Sequence, residues 1–110
     1  MKELRQKMCF LRDISLLKKK DRDSYLKQCS DKNIHIICEC IFNILSGECG
    51  KKVKNNNRLS RLRKPLKKIL KPSLKMKEKR KLLTDQHGSG IFSLILSTAI
   101  PFLINLLSKR

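Results

Sequence analysis

The strongest constraint on this chain is where its charge sits. Of 110 residues, 27 are Lys or Arg and 9 are Asp or Glu, for a formal charge of +18. Residues 51–83 hold 15 of the basic residues and a single acid, Glu78. Residues 1–50 hold ten basic and seven acidic residues, and Gly88 to Ser108 hold none of either sign. A self-repelling polycation thus separates a balanced segment from an apolar one. This division reads as three jobs rather than one fold: a small helical unit over 1–50, a polycationic segment over 51–83 and an apolar helix over 91–108, the last two linked by a Gly-containing joint over 84–90.

A chain of this length holds at most one small domain with tails. It is too short for a TIM barrel or a doubly wound nucleotide-binding fold. No GxGxxG, Walker, HExxH or GxSxG pattern is present, so no catalytic residue, cofactor or enzymatic activity is expected. His35 and His87 lie in unrelated segments, which gives a Cys–His pair no sequence support. The excess of positive charge points to a polyanionic partner, nucleic acid or anionic lipid.

The expected fold class is mostly α. Within the first fifty residues, Ile34, Ile37, Cys38, Ile41, Ile44 and Leu45 recur at helical spacing. Lys32, His35, Glu39, Asn43 and Ser46 form the opposite, polar stripe, while Ile36, Cys40 and Phe42 widen the apolar face. Asp31 is the expected N-cap and Gly47 the expected stop. Upstream, Leu4, Met8, Leu11 and Ile14 suggest a helix ending near Lys18–Lys20, where lysines suit a C-terminus. Asp21 then caps a short helix through Cys29. Three short helices make a marginal core, so burial is expected to be completed by a partner, by self-association or by the later segments.

The five cysteines, Cys9, Cys29, Cys38, Cys40 and Cys49, read as reduced thiols serving as small hydrophobes, because residues 1–20 show no secretory signal. His35, Cys38, Cys40 and Cys49 cluster in sequence. On one helix, however, Cys38 and Cys40 point about 200° apart, which argues against a shared metal ion. No metal site is expected.

In the polycation, Leu59, Leu62, Leu66, Ile69 and Leu70 fall on one helical face, so the segment is expected to be helical when bound and largely disordered alone. Pro65 is expected to break, kink or restart the helix, Pro72 to end the stretch, and Ser73 to cap a last basic helix through Leu83. The expected nucleic-acid contacts are Lys51, Lys52, Lys54, Arg58, Arg61, Arg63, Lys64, Lys67, Lys68, Lys71, Lys75, Lys77, Lys79, Arg80 and Lys81. No aromatic residue lies among them, which favours non-specific contact with the phosphate backbone of DNA over base stacking. A nuclear import signal is the plainer reading of the same run.

After Gly88-Ser89-Gly90, an expected flexible joint, the seventeen residues from Ile91 to Leu107 carry no charge, the lower limit for crossing a bilayer. The expected membrane contacts are Ile91, Phe92, Leu94, Ile95, Leu96, Ile100, Pro101, Phe102, Leu103, Ile104, Leu106 and Leu107. Ser93, Ser97 and Asn105 make a thin polar stripe, Thr98 and Ser108 lie near its edge, and a kink is expected near Pro101. An amphipathic helix of this kind suits an anionic membrane surface. A helix buried in a core is the alternative.

Two resemblances follow from these residues. The stretch Leu96-Ser-Thr-Ala-Ile-Pro-Phe-Leu-Ile-Asn-Leu-Leu-Ser-Lys-Arg110, with Gly88, Gly90 and Ile91 before it, resembles melittin, the lytic bee-venom peptide. Over about residues 21–107, the order of segments is similar to the small basic virion proteins of adintoviruses and Polinton (Maverick) elements. It runs from Asp31 through Ile37-Cys38-Glu39-Cys40 and Asn43-Ile44-Leu45-Ser46-Gly47, then a basic stretch, Lys79-Arg-Lys-Leu-Leu83, a Gly-rich joint and an apolar tail. Those proteins are compared with the adenovirus core precursor pX. The resemblance implies a virion protein, present in the host nucleus during assembly, with packaged DNA, capsid proteins and a viral cysteine protease as partners. It also implies a cleavage between Ser89 and Gly90. Gln86 stands where the adenovirus pattern has an aliphatic residue.

The expected function is therefore neutralisation or condensation of packaged DNA by a virion protein carrying a membrane-perturbing helix. The rivals are a helical interaction protein whose apolar tail docks into a partner, and a tail-anchored membrane protein with a basic stem.

Overall fold

The computed structural model describes residues 2–49 and 57–108. All regular structure among them is helical: α1 (Lys2–Leu16), α2 (Lys19–Gln28), α3 (Asp31–Leu45), α4 (Asn57–Ile69), α5 (Met76–Thr84), α6 (Gly88–Ser97) and α7 (Ala99–Ser108). The mostly α class is as the sequence predicts.

The apolar stripe of α3 is buried where the period places it, at Ile34, Ile37, Cys38, Cys40, Ile41 and Ile44. Phe42 departs from expectation and is 58% exposed. The N-cap is Ser30 rather than Asp31: its side chain accepts the Asn33 N–H at 3.3 Å. Asp31 becomes the first helical residue and its carboxylate is freed for another task. At the other end, Glu48 N–H donates to the Asn43 carbonyl and Gly47 N–H to that of Ile44. This double closure requires the positive φ of 86° that Gly47 adopts.

Helix α1 ends at Leu16, near the Lys18–Lys20 run as expected, but the lysines open the next helix rather than close this one. Lys18 is the N-cap of α2, and Asp21 lies inside its first turn. In the polycation, α4 runs through Pro65, and Leu59, Leu62, Leu66 and Ile69 are buried. The carbonyl deprived of an intrahelical partner by Pro65 belongs to Arg61, an exposed residue, so the loss falls where solvent has access. Lys75, not Ser73, is the N-cap of α5.

The largest departure concerns the expected joint. Asp85 accepts the His87 N–H at 2.8 Å, Gly88 N–H donates to the Asp85 carbonyl, and Gly88 opens α6 directly. Gly88 is buried because the chain doubles back there: a Cβ at this position would fall on the carbonyl oxygen of Leu83. Gly90 lies 3.5 Å, measured from where its Cβ would be, from the Leu62 methyls. Gly88 permits a close backbone approach, Gly90 is in ordinary contact that a Cβ would also satisfy, and both lie in the first turn of a helix.

Helix α6 is the hub. It packs against α1, α4, α5 and α7, and buries Ile91, Phe92, Leu94 and Ile95. Leu26 of α2, the α3 stripe, the α4 leucines and Leu83 of α5 belong to the same buried cluster. The balanced segment, the polycation and the apolar tail thus share one core. The radius of gyration, 13.2 Å, agrees with the roughly 13 Å expected of a single domain of this length. The expected kink appears at Thr98, three residues before Pro101, with φ −123° and ψ −65°. The Thr98 hydroxyl turns back to the Leu94 carbonyl at 2.6 Å. Pro101 sits in the first turn of α7, where its missing N–H costs nothing.

Gly88→Ala tests the close approach. Alanine is the better helix former by about 1 kcal/mol, so a gain in stability would follow if the site were open. The clash with backbone at Leu83 is expected to reverse the sign, with a net loss of about 1–3 kcal/mol in urea unfolding.

Candidate polyanion face and apolar tail

The burial of the α4 leucines fixes which cations face water. Opposite Leu59, Leu62, Leu66 and Ile69 lie Arg61, Lys64 and Lys68, spaced three and four residues apart, and Lys71 continues the line in the following turn. All four are exposed, as is Lys67 beside them. The stripe runs about 15 Å, the rise of about four base-pair steps of duplex. Lys75, Lys77 and Lys81 are exposed at and along α5, with Glu78 the one acid of that helix. Arg63 is half-buried. Lys51, Lys52 and Lys54, and the Arg58 side chain, lie outside the described residues.

Lys79 and Arg80, expected among the nucleic-acid contacts, are engaged inside the fold. Lys79 Nζ donates to the carbonyl of Ile69, the last residue of α4, at 2.9 Å. The Arg80 guanidinium donates to the Leu26 and Cys29 carbonyls at 2.6 and 2.7 Å, closing α2, and to the Asp31 carboxylate at 2.8 Å. The Asp31 hydrogen bond holds the Arg80 pKa above its ordinary value. One planar fork thus ties the end of α2 and the start of α3 to α5, a task a lysine point charge does not match.

The same device recurs outside the polycation. Lys19 Nζ donates to the carbonyl of Thr84, the last residue of α5, at 3.3 Å. Arg22 donates to the Leu17 carbonyl just past α1 at 3.3 Å. Helix carboxyl ends carry partial negative charge and unpaired carbonyls, so a cation from another element satisfies both. Arg22 does more. It is 5% exposed, donates to Ser89 Oγ at 3.1 Å, and lies 4.8 Å over the Phe92 ring. Burial lowers its pKa, opposed by the charge of Asp23. Sequence reasoning missed Arg22, and no local signal distinguishes it from its solvated neighbours.

The tail residues divide in two. Ile91, Phe92, Leu94, Ile95 and Ile100 are buried, and Leu96, Phe102, Leu103 and Leu107 are half-buried. Pro101, Ile104 and Leu106 are exposed. Ser93, Ser97 and Asn105 face water, so the polar stripe is the outer face of a packed helix pair; Thr98, expected at its edge, is buried. Gly88–Ser108 is nonetheless long and apolar enough to cross a membrane, and 39% of its most apolar window is buried. Ser89 and Gly90 lie in the first turn of α6, with Ser89 held by Arg22. A protease that reads an extended strand would first have to unwind that turn.

A groove of about 280 Å³ opens between α1, α3 and α7, with Leu11, Ile36, Cys40, Cys49, Phe102 and Leu106 among its walls. Burial, with Cys49 and Glu39 nearby, pushes the Cys40 thiol up to about 12. Burial also raises Cys38, against the charge of Lys79, and raises Cys49, helped by Glu48. Such thiols stay protonated at neutral pH and are poor nucleophiles and poor metal ligands. No group of three or more His, Cys, Asp or Glu side chains suited to a metal comes together among the described residues.

The two classes of cation are separable by mutation. Arg80→Met is expected to cost about 1–3 kcal/mol in thermal or urea unfolding, since carbonyls of α2 lose a charged donor. Lys68→Ala, on the exposed stripe, is expected to change stability by less than about 0.5 kcal/mol. Compared with protein families, curated proteins and solved structures, the chain matches none.

Proposed function

We propose that this protein binds duplex nucleic acid through phosphate contacts, neutralising or condensing it, without enzymatic activity. The observation that carries the reading is the set of exposed cations on α4, on α5 and in the turn between them, Arg61, Lys64, Lys67, Lys68, Lys71, Lys75, Lys77 and Lys81. One carboxylate, Glu78, interrupts it. The face carries no aromatic side chain for stacking on bases. Flexible cations carried on a packed helix surface meet phosphates without reading sequence. Packaged DNA in a virion of the adintovirus or Polinton type, assembled in the host nucleus, is the partner that the order of segments suggests. Capsid proteins and a viral cysteine protease belong to the same proposal.

The test is fluorescence anisotropy with unrelated duplexes over a salt series. Affinity is expected to fall steeply with salt and to be equal between sequences. Lys64→Gln, Lys67→Gln and Lys68→Gln together are expected to lower the slope of log K against log salt by about three, near one for each phosphate left without its lysine. An unchanged slope would sink the assignment of this face.

A second activity is supported by Gly88–Ser108, an uncharged stretch of membrane-crossing length that keeps apolar residues at the surface. We infer that it perturbs anionic membranes, and that its packing against the rest of the fold holds this activity in check. A peptide of residues 90–110 is expected to release dye from anionic vesicles, and the full-length chain to release less. Release by neither would remove the membrane activity and leave the polyanion face standing.

A further inference from the structure

The apolar tail is not uniform. Helix α6 packs against α1, α4, α5 and α7, takes Arg22 of α2 onto Ser89 and Phe92, and encloses almost all of its apolar residues. Helix α7 packs chiefly on α1 and α6 and buries only Ala99 and Ile100 fully. Behind it lies the groove of about 280 Å³ that Phe102, Leu103 and Leu106 face without filling. Leu106 keeps 38% of its surface exposed at that groove, and Ile104, which does not line it, is 49% exposed. The two helices meet at Thr98, whose backbone leaves helical geometry.

We propose that α7 alone is the lipid-binding element, that it swings about Thr98 onto an anionic bilayer surface, and that α6 stays in the core as its anchor. The proposal rests on the membrane reading above and narrows it. Charge complementarity selects the occupant. The chain carries +18, no acid follows Asp85, and Lys109 and Arg110 come directly after α7. An apolar helix flanked by cations on a strongly cationic body suits an anionic lipid surface. Length decides the mode of binding. Ten residues of α7 extend about 15 Å, half the roughly 30 Å of a hydrocarbon core. With α6 retained, the helix lies in the interface and does not span.

The chain has no Trp, so one introduced indole is a clean depth reporter. Ile104→Trp and, as a control on α3, Phe42→Trp replace exposed residues and leave the core intact. The full-length variants are bound to vesicles of phosphatidylcholine and phosphatidylglycerol carrying brominated acyl chains. Amide hydrogen exchange is followed over residues 88–97 in the same samples. The Ile104→Trp reporter is expected to lose about half its emission or more, consistent with burial by ~5–10 Å. The Phe42→Trp reporter is expected to keep its emission, and the α6 amides their protection. Ile104→Lys is expected to weaken vesicle flotation about tenfold.

No quenching at position 104 overturns the proposal, as does equal quenching at position 42. Quenching at 104 with loss of α6 protection also overturns it, because the whole tail has then left the core. Dye release is read on the same vesicles. Its absence beside selective quenching at 104 supports the surface-binding role of α7 while removing the lytic reading on which it was built.

Discussion

The burial of α6 is the constraint on which the other helices depend. An uncharged helix rich in Ile, Leu and Phe needs apolar partners on several sides, and residues 1–50 supply only some of them. The rest come from the polycation. Leu59, Leu62, Leu66 and Ile69 of α4 and Leu83 of α5 enter the same cluster as Ile91, Phe92, Leu94 and Ile95. A segment that would repel itself in isolation is thereby given an apolar face to bury. At about 1.5–3 kcal/mol for each large apolar side chain enclosed, this burial outweighs the loss from confining exposed, screened charges.

Positive charge does structural work once the helices are packed. Arg22, Arg80, Lys79 and Lys19 each reach from one helix to carbonyls at the carboxyl end of another. The end of α3 is closed instead by the turn at Gly47. The excess of basic residues therefore divides by position. Some close helix ends inside the fold, and others, Arg61, Lys64, Lys68 and Lys71 among them, are exposed along the outer side of α4 and the turn after it.

How much of this is legible in the sequence follows from the range of each interaction. The buried faces of α3 and α4 are legible because a period of 3.6 residues is recorded locally in the sequence. Caps are legible to within a residue or two: Ser30 and Lys75 hold the positions expected of Asp31 and Ser73. The helix through Pro65 is not, since it depends on α6 burying the residues on both sides. The roles of Arg22, Lys79 and Arg80 are out of reach, because a cation that caps a distant helix has the same local signature as a solvated one. Gly88 and Gly90 read as a hinge, and a glycine that admits a backbone looks the same in sequence as one that bends. The tail gives an ambiguous signal for a physical reason. Lipid and protein core are both apolar solvents, and a helix suited to one is suited to the other.

The shared core couples the two proposed activities. A charge of +18 on a body this small opposes compaction, and the repulsion is greatest around α4 and α5. A polyanion laid along their outer face relieves that repulsion and binds the packed state better than an expanded one. The inner face of α4 is the surface that grips α6. Under the proposed function, nucleic acid on the outer face of α4 steadies its inner face against α6, the anchor from which α7 swings. Charge neutralisation and lipid contact then fall on different parts of one core: α4 holds α6 in place, and α7, which packs on α1 and α6, is left to meet the bilayer.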